Sequence, residues 1–341
     1  MYELIRKTLI IVLCLMLSKM LHLTVSVYIV LFSIVIATTC YSNHVWEIIK
    51  RLLPSLFAAL GAVVVNQVFA THPFIIWTCS ILYFDHVRRT ADSNLKVRGV
   101  ILPLFMIIFI NTYANSSSYI FSIPEIVRDL VLSTIITGLV ASFVNHVMVI
   151  KIIPPMPAII SMPVRGVDRL KMLLLVGVGL AFIMINEVTS AVFCLVPLIT
   201  SAMQPTHDLM KVHSRNKMLS QVGGCSLALI VSMLFSGTEI NLFTYLFIST
   251  VLVFTILWWC DHPDKEEGLI HSDALMGFLI PYQLYIGQYS NNFGLNSIIL
   301  RAFELVVVLL IIYTIGYWLE RLTTKNIKRQ SLKQTAKLNL K

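Results

Sequence analysis

Charge is what this 341-residue chain has least of: Asp, Glu, Lys and Arg make up 13% of it. A water-soluble domain carries roughly a quarter. A folded domain of ordinary surface polarity is therefore excluded for most of the chain, and the one clearly polar stretch is Thr323–Lys341. The sequence also lacks a paired-cysteine motif. Its six cysteines (Cys14, Cys40, Cys79, Cys194, Cys225, Cys260) lie singly in or beside apolar segments, which argues against a disulfide framework or a metal site and reads as buried, reduced thiols. No GxxxxGK[ST] loop occurs, so intrinsic ATP hydrolysis is not expected. After Arg6-Lys7 and the first apolar run comes no small-residue cleavage site, and that run is read as an uncleaved first transmembrane helix.

What is present is apolar sequence, 57% of the residues, in runs of membrane length from Leu9 to Tyr317. Four of these runs are too long for one helix. Leu52 to Phe84 as a single helix would measure about 48 Å against a hydrocarbon core of about 30 Å. The run breaks at Asn66-Gln67 and Thr71-His72-Pro73. Similar breaks divide Thr8–Cys40 at His22–Thr24, Met172–Met203 at Asn186-Glu187, and Met218–Trp259 at Ser236–Glu239. With Val100–Tyr113, Val127–Ile150, Ala274–Gly287 and Ile298–Leu319 the count is twelve, ten being the alternative because several spans hold only about 13–16 residues. The expected fold is an all-α polytopic membrane protein.

The net charge of +9 raises nucleic acid as a partner, but its placement points elsewhere. With twelve spans, every loop on one side carries Lys or Arg: Lys50, Arg51, Arg88, Arg89, Lys96, Arg98, Lys151, Arg165, Arg169, Lys171, Lys211, Arg215, Lys217 and Lys265, joined by the basic tail. The loops on the other side contain neither. By the positive-inside rule both termini are expected in the cytoplasm, with the protein in a bacterial inner membrane.

The chain also reads as two copies of a six-helix unit. Lys7 and its apolar run match Lys171 and its run, and Arg51 matches Arg215. Asp85-His86 closes the fourth span as Asp261-His262 closes the tenth. Pro103 matches Pro281, and Arg128 matches Arg301. Because six is even, the copies are expected to be parallel, about an axis along the membrane normal. The expected organisation is a first repeat over residues 1–151, a Pro-rich cytoplasmic linker over 152–168, a second repeat over 169–320 and a basic tail over 321–341.

The ordered elements Arg6-Lys7, Ala37-Thr38, Lys50-Arg51 and Leu60-Gly61-Ala62, followed by Arg169, Pro197, Pro205, Arg215-Asn216-Lys217 and Gly223-Gly224, resemble the fusaric acid resistance protein superfamily of aromatic-acid exporters. Plant malate channels resemble that superfamily too, and the short length is most similar to its compact bacterial branch. The chain departs from larger members in lacking big cytoplasmic domains. The resemblance implies efflux of small organic, often aromatic, acids, and a periplasmic membrane fusion protein of the haemolysin-D type as partner. A passive anion channel and a non-transporting scaffold stay open as alternatives.

Charges inside spans cost about 2.5–3.5 kcal/mol at mid-helix, so each is a candidate for function. Lys19 either snorkels to the interface or contacts an anion. Arg128 and Arg301, with Asp129 and Glu304 beside them, read as ion pairs anchoring their helices or as cationic sites flanking an anion path. Asp85-His86, Asp261-His262 and His146 read as polar caps or as proton-coupling groups, since histidine as a residue type titrates near neutrality. Gly61, Gly223 and Gly224 are read as helix-packing positions. Thr206-His207-Asp208 raises an acyltransferase, but no second catalytic constellation accompanies it, and neither an enzyme nor a cofactor is expected.

Overall fold

In the computed structural model, residues 1–114, 123–148, 161, 164–186, 192, 195–204, 207–234, 241–261 and 274–285 are described, with 303, 307, 310, 314 and 317 in the last apolar run. Arg301, His262, most of the 152–168 linker and the 321–341 tail lie outside the described residues, as do the side chains of His207 and Asp208.

The described residues form helices. They are α1 (Tyr2–Met20), α2 (Val27–Thr39), α3 (Val45–Val68), α4 (Pro73–Thr90), α5 (Asn94–Ala114) and α6 (Ile123–Val147). From α1 to α5, where the connections are short, consecutive helices run antiparallel. Helix α7 begins as Gly166–Met172, passes through a π-helical turn at Leu173–Gly177, and continues as Val178–Asn186. After it come α8 (Leu195–Ala202), α9 (His207–Leu234), α10 (Leu242–Cys260) and α11 (Ala274–Tyr285). The breaks between helices fall at the polar interruptions of the long apolar runs. α1 stops before His22, which has a positive φ of 49°, and Pro73 opens α4, where its missing N–H costs nothing.

Among the described residues, five helices are long and apolar enough to cross a membrane: α3, α5, α6, the Leu209–Leu234 part of α9, and α10. Helix α2 is apolar but has 13 residues, about 20 Å. It is buried along nearly its whole length, packed against α1 and α6. At that length it cannot by itself cross a hydrocarbon core about 30 Å thick.

The helix contacts come in pairs separated by six in helix number. α1 packs on α10 and α7 on α4; α2 on α11 and α8 on α5; α3 on α5 and α9 on α11. The closest crossing joins α9 and α11. A Cβ on Gly224 would lie 2.6 Å from the Ala274 carbonyl oxygen, and one on Gly277 would lie 2.8 Å from the Gln221 backbone. By contrast, a Cβ on Gly61 or Gly223 would meet nothing within 4 Å. Tight packing thus rests on Gly224 and on Gly277, which the sequence did not single out.

Candidate functional site

Among the described residues, three polar assemblies buried in the apolar bundle contain or border a charged side chain. Two sit at the ends of α2. A helix leaves its last carbonyls and first N–H groups without partners, and where neighbouring helices cover such groups side chains must take the place of water. At the C-terminal end, Arg6 of α1 is 1% exposed. It donates from Nη2 to the Ala37 carbonyl (2.7 Å) and from Nη1 to the Cys40 carbonyl (3.1 Å) and Asn145 Oδ1 (3.0 Å). Asn145 in turn donates to the Ser42 carbonyl at 2.7 Å, and the guanidinium lies 4.4 Å from the Tyr41 ring centroid. A cation at the negative end of a helix dipole is favourably placed. Tyr41 donates to Glu3 at 2.7 Å. Burial, and then the Glu3 hydrogen bond, push its phenol up to about 12.

At the N-terminal end of α2 the sign reverses. Asp129 of α6 is fully buried. Its Oδ2 accepts from the Val25 N–H (2.8 Å) and the Thr24 hydroxyl (2.7 Å), and its Oδ1 accepts from Arg128 Nε (2.9 Å), with Arg128 Nη2 in ion-pair contact at 2.9 Å. The Arg128 side chain is 51% exposed. It therefore stands where the ion-pair reading places it, beside Asp129, with its outer side open.

The third assembly joins α1 to α10 and α11 at the end of the bundle away from Arg6. The Tyr245 hydroxyl donates to Gln283 Oε1, and Gln283 Nε2 donates to Ser18 Oγ at 3.4 Å. Ser249 and the Tyr282 hydroxyl are 3.2 Å apart. The Tyr245 and Tyr282 rings stack with centroids 5.6 Å apart, and Phe278 continues the stack at 5.1 Å. Ser18, Tyr245, Ser249, Tyr282 and Gln283 are all buried. Lys19 caps the assembly with its ammonium 5.7 Å from the Tyr245 ring centroid, a cation–π distance. The structure thus supplies partners that sequence reading missed: aromatic faces, an amide and hydroxyls within reach of one cation. The signal available was the presence of Gln283 and Ser249 inside otherwise apolar runs.

The remaining sequence candidates are dispersed. Asp85 accepts a two-pronged hydrogen bond from Arg169, 2.8 Å at Nε, which joins α4 to α7. His86 and His146 are exposed, and Asp261 is exposed at the C-terminus of α10. A second polar chain, Asn66 to Asn111 (2.6 Å) and Asn111 to Ser80 (2.6 Å), ties α3, α5 and α4 together. Among the described residues no cluster of His, Cys, Asp or Glu could hold a metal ion.

Apolar helices of crossing length, with polar groups gathered inside and large hydrophobics such as Phe57, Phe143, Phe243 and Phe247 outside, define an α-helical multi-pass membrane protein. A family model described as "Protein of unknown function (DUF2955)" matches residues 3–144, which span α1 to all but the last turn of α6. Neither the curated proteins nor the solved structures offer a match.

Proposed function

We propose that the protein is a secondary exporter of small organic anions, with the substrate path along the contact between two six-helix halves. The observation that carries this reading is the Lys19–Tyr245–Gln283 assembly. It is a cation, stacked aromatic faces and amide and hydroxyl groups held at a junction between the first and last thirds of the chain. Apolar side chains would fill that junction at lower desolvation cost, and polar clusters inside membrane proteins mark ligand pathways. The helix pairs that recur at a spacing of six support a duplicated bundle with parallel halves.

The orientation in this proposal has both termini in the cytoplasm of a bacterial inner membrane. Arg6, Arg51, Arg88, Arg89, Arg169 and Lys171 gather at the end of the bundle where α1 begins, and among the described residues the opposite end carries Lys19 and Arg128. An organic anion leaving a negative-inside cell gains about 2.3 kcal/mol per charge per 100 mV, enough to drive efflux without ATP. A periplasmic membrane fusion protein is the proposed partner.

The test is flux through purified protein in liposomes, with radiolabelled benzoate as probe. Saturable flux that Lys19→Gln and Gln283→Leu each lower about tenfold, with folding intact, supports the proposal. Flux that never saturates would indicate a channel. No flux above empty liposomes, with a correctly inserted protein, would leave the scaffold reading.

A further inference from the structure

We infer that the Asp85–Arg169 ion pair is a latch that holds shut the end of the α4–α7 seam nearest the N-terminus of α1, the basic end. This rests on the transporter reading, since a latch has a purpose only if the two halves part. The pair is two-pronged, with a bond from each of two guanidinium nitrogens to the two carboxylate oxygens, the geometry that gives arginine–carboxylate contacts their directional strength. Among the described residues it is the ion pair that joins the first six helices to the later ones. Its side chains are 31% and 26% exposed, so water reaches them and the pair can open without stranding a charge in lipid.

Beneath the latch the seam has one further polar tie, at the point where α7 departs from a regular α-helix. Trp77 of α4 donates from its indole N–H to the Gly177 carbonyl at 2.9 Å, at the end of the π-helical turn of α7. The Ile81 side chain lies directly over Gly177, where a Cβ would collide with it. A π-turn inside an α-helix is a frequent mark of a functional site.

The other seam is fastened elsewhere and by different chemistry. α1 and α10 are tied at the opposite end, through Lys19 and Tyr245 and, by way of Gln283, Ser18. At the basic end α10 offers Asp261, but the position of α1 that the repeat sets against Arg169 is Ile5, which cannot pair. Among the described residues, the α4–α7 seam thus carries its ion pair at the basic end, above the Trp77–Gly177 bond, and the α1–α10 seam carries its polar tie at the opposite end. The α4–α7 seam can therefore part at the basic end while the α1–α10 fastening holds, which is the asymmetry an alternating path requires.

The experiment replaces the six native cysteines, introduces Ile81→Cys beneath the latch, and measures its labelling by a membrane-impermeant maleimide applied to vesicles from the basic end. Labelling should be slow with the latch intact. Asp85→Asn and Arg169→Gln should each raise the rate about tenfold, the shift expected when a closed population loses its main restraint. Asp85→Arg combined with Arg169→Asp should restore slow labelling. Equal rates in all four proteins, or fast labelling in the charge-swapped one, would overturn the latch. Either single variant suffices if the other fails to insert, and monodisperse elution checks folding. The readout needs no substrate, so it can fail while benzoate flux stands, or stand while flux fails.

Discussion

Replacing Arg6 with methionine tests whether α2 is held by charges at its ends. The guanidinium makes three hydrogen bonds to neutral acceptors, each about 1.5–3 kcal/mol because the donor is charged. The gross loss is therefore about 4–9 kcal/mol. Part of it comes back, because burying a guanidinium costs several kcal/mol that methionine does not incur. What does not come back is the pairing of the Ala37 and Cys40 carbonyls, which belong to buried residues and are costly to leave without a donor. The net destabilisation is then about 3 kcal/mol. In a helical protein of this size that corresponds to a fall of roughly 4 °C in thermal unfolding followed in detergent. Arg6→Lys keeps the charge but loses the fork, and should fall between the two. A melting temperature for Arg6→Met within about 2 °C of the parent, with the N-terminus still on its original side, would refute the reasoning.

Asp129→Ala removes the matching charge at the other end of α2, leaving the Val25 N–H, the Thr24 hydroxyl and Arg128 unpaired. It should cost about 3 kcal/mol by the same assay, and Asp129→Asn less, because the amide oxygen still accepts. Gly224→Ala should destabilise by more than about 2 kcal/mol, since its Cβ would lie 2.6 Å from a backbone oxygen that cannot swing aside. Gly61→Ala, facing open space, should be neutral or stabilise by up to about 1 kcal/mol through helix propensity. Similar melting for the two alanine variants would show that the α9–α11 crossing does not hold the fold.

Much of the helix order was legible because lipid imposes a simple rule. Apolar runs must be helices, and polar interruptions inside a run too long for one span must be turns. The positions of Pro73, of His22-Leu23-Thr24 and of Asn186 at helix ends follow from that rule alone. The interior was less legible. Arg6 reads in sequence as one more positive charge marking a side of the membrane, whereas its side chain turns inward to α2. What decides this is the shortness of α2 and the arrival of Asn145 from 139 residues away, and a linear pattern holds no record of such a meeting. In sequence Arg128 stands out and the more buried Asp129 reads as its accessory, although Asp129 is the group that gathers three hydrogen-bond donors and the ion pair. The glycines show the same limit. Small residues mark where helices can approach, and the facing backbone decides where they do, so Gly224 needed Gly277 to become a crossing.

If the two halves descend from one unit, the clamp on α2 should have a counterpart on α8, and it does in weaker form. Lys171 of α7 is 9% exposed and donates to the Gln204 carbonyl, just beyond the end of α8, at 3.2 Å. It stands where the repeat places Lys7, one residue from the position of Arg6. A lysine ammonium is a point donor without a fork, and here one bond replaces three. Lys171→Met should therefore cost about 1 kcal/mol in the same unfolding assay, roughly a third of the Arg6→Met loss. Because α2 and α8 do not share a partner, the two losses should add in the double variant. A Lys171→Met loss as large as that of Arg6→Met would mean that the number of carbonyls satisfied is not what sets the cost, and the account of both helix ends would have to be abandoned.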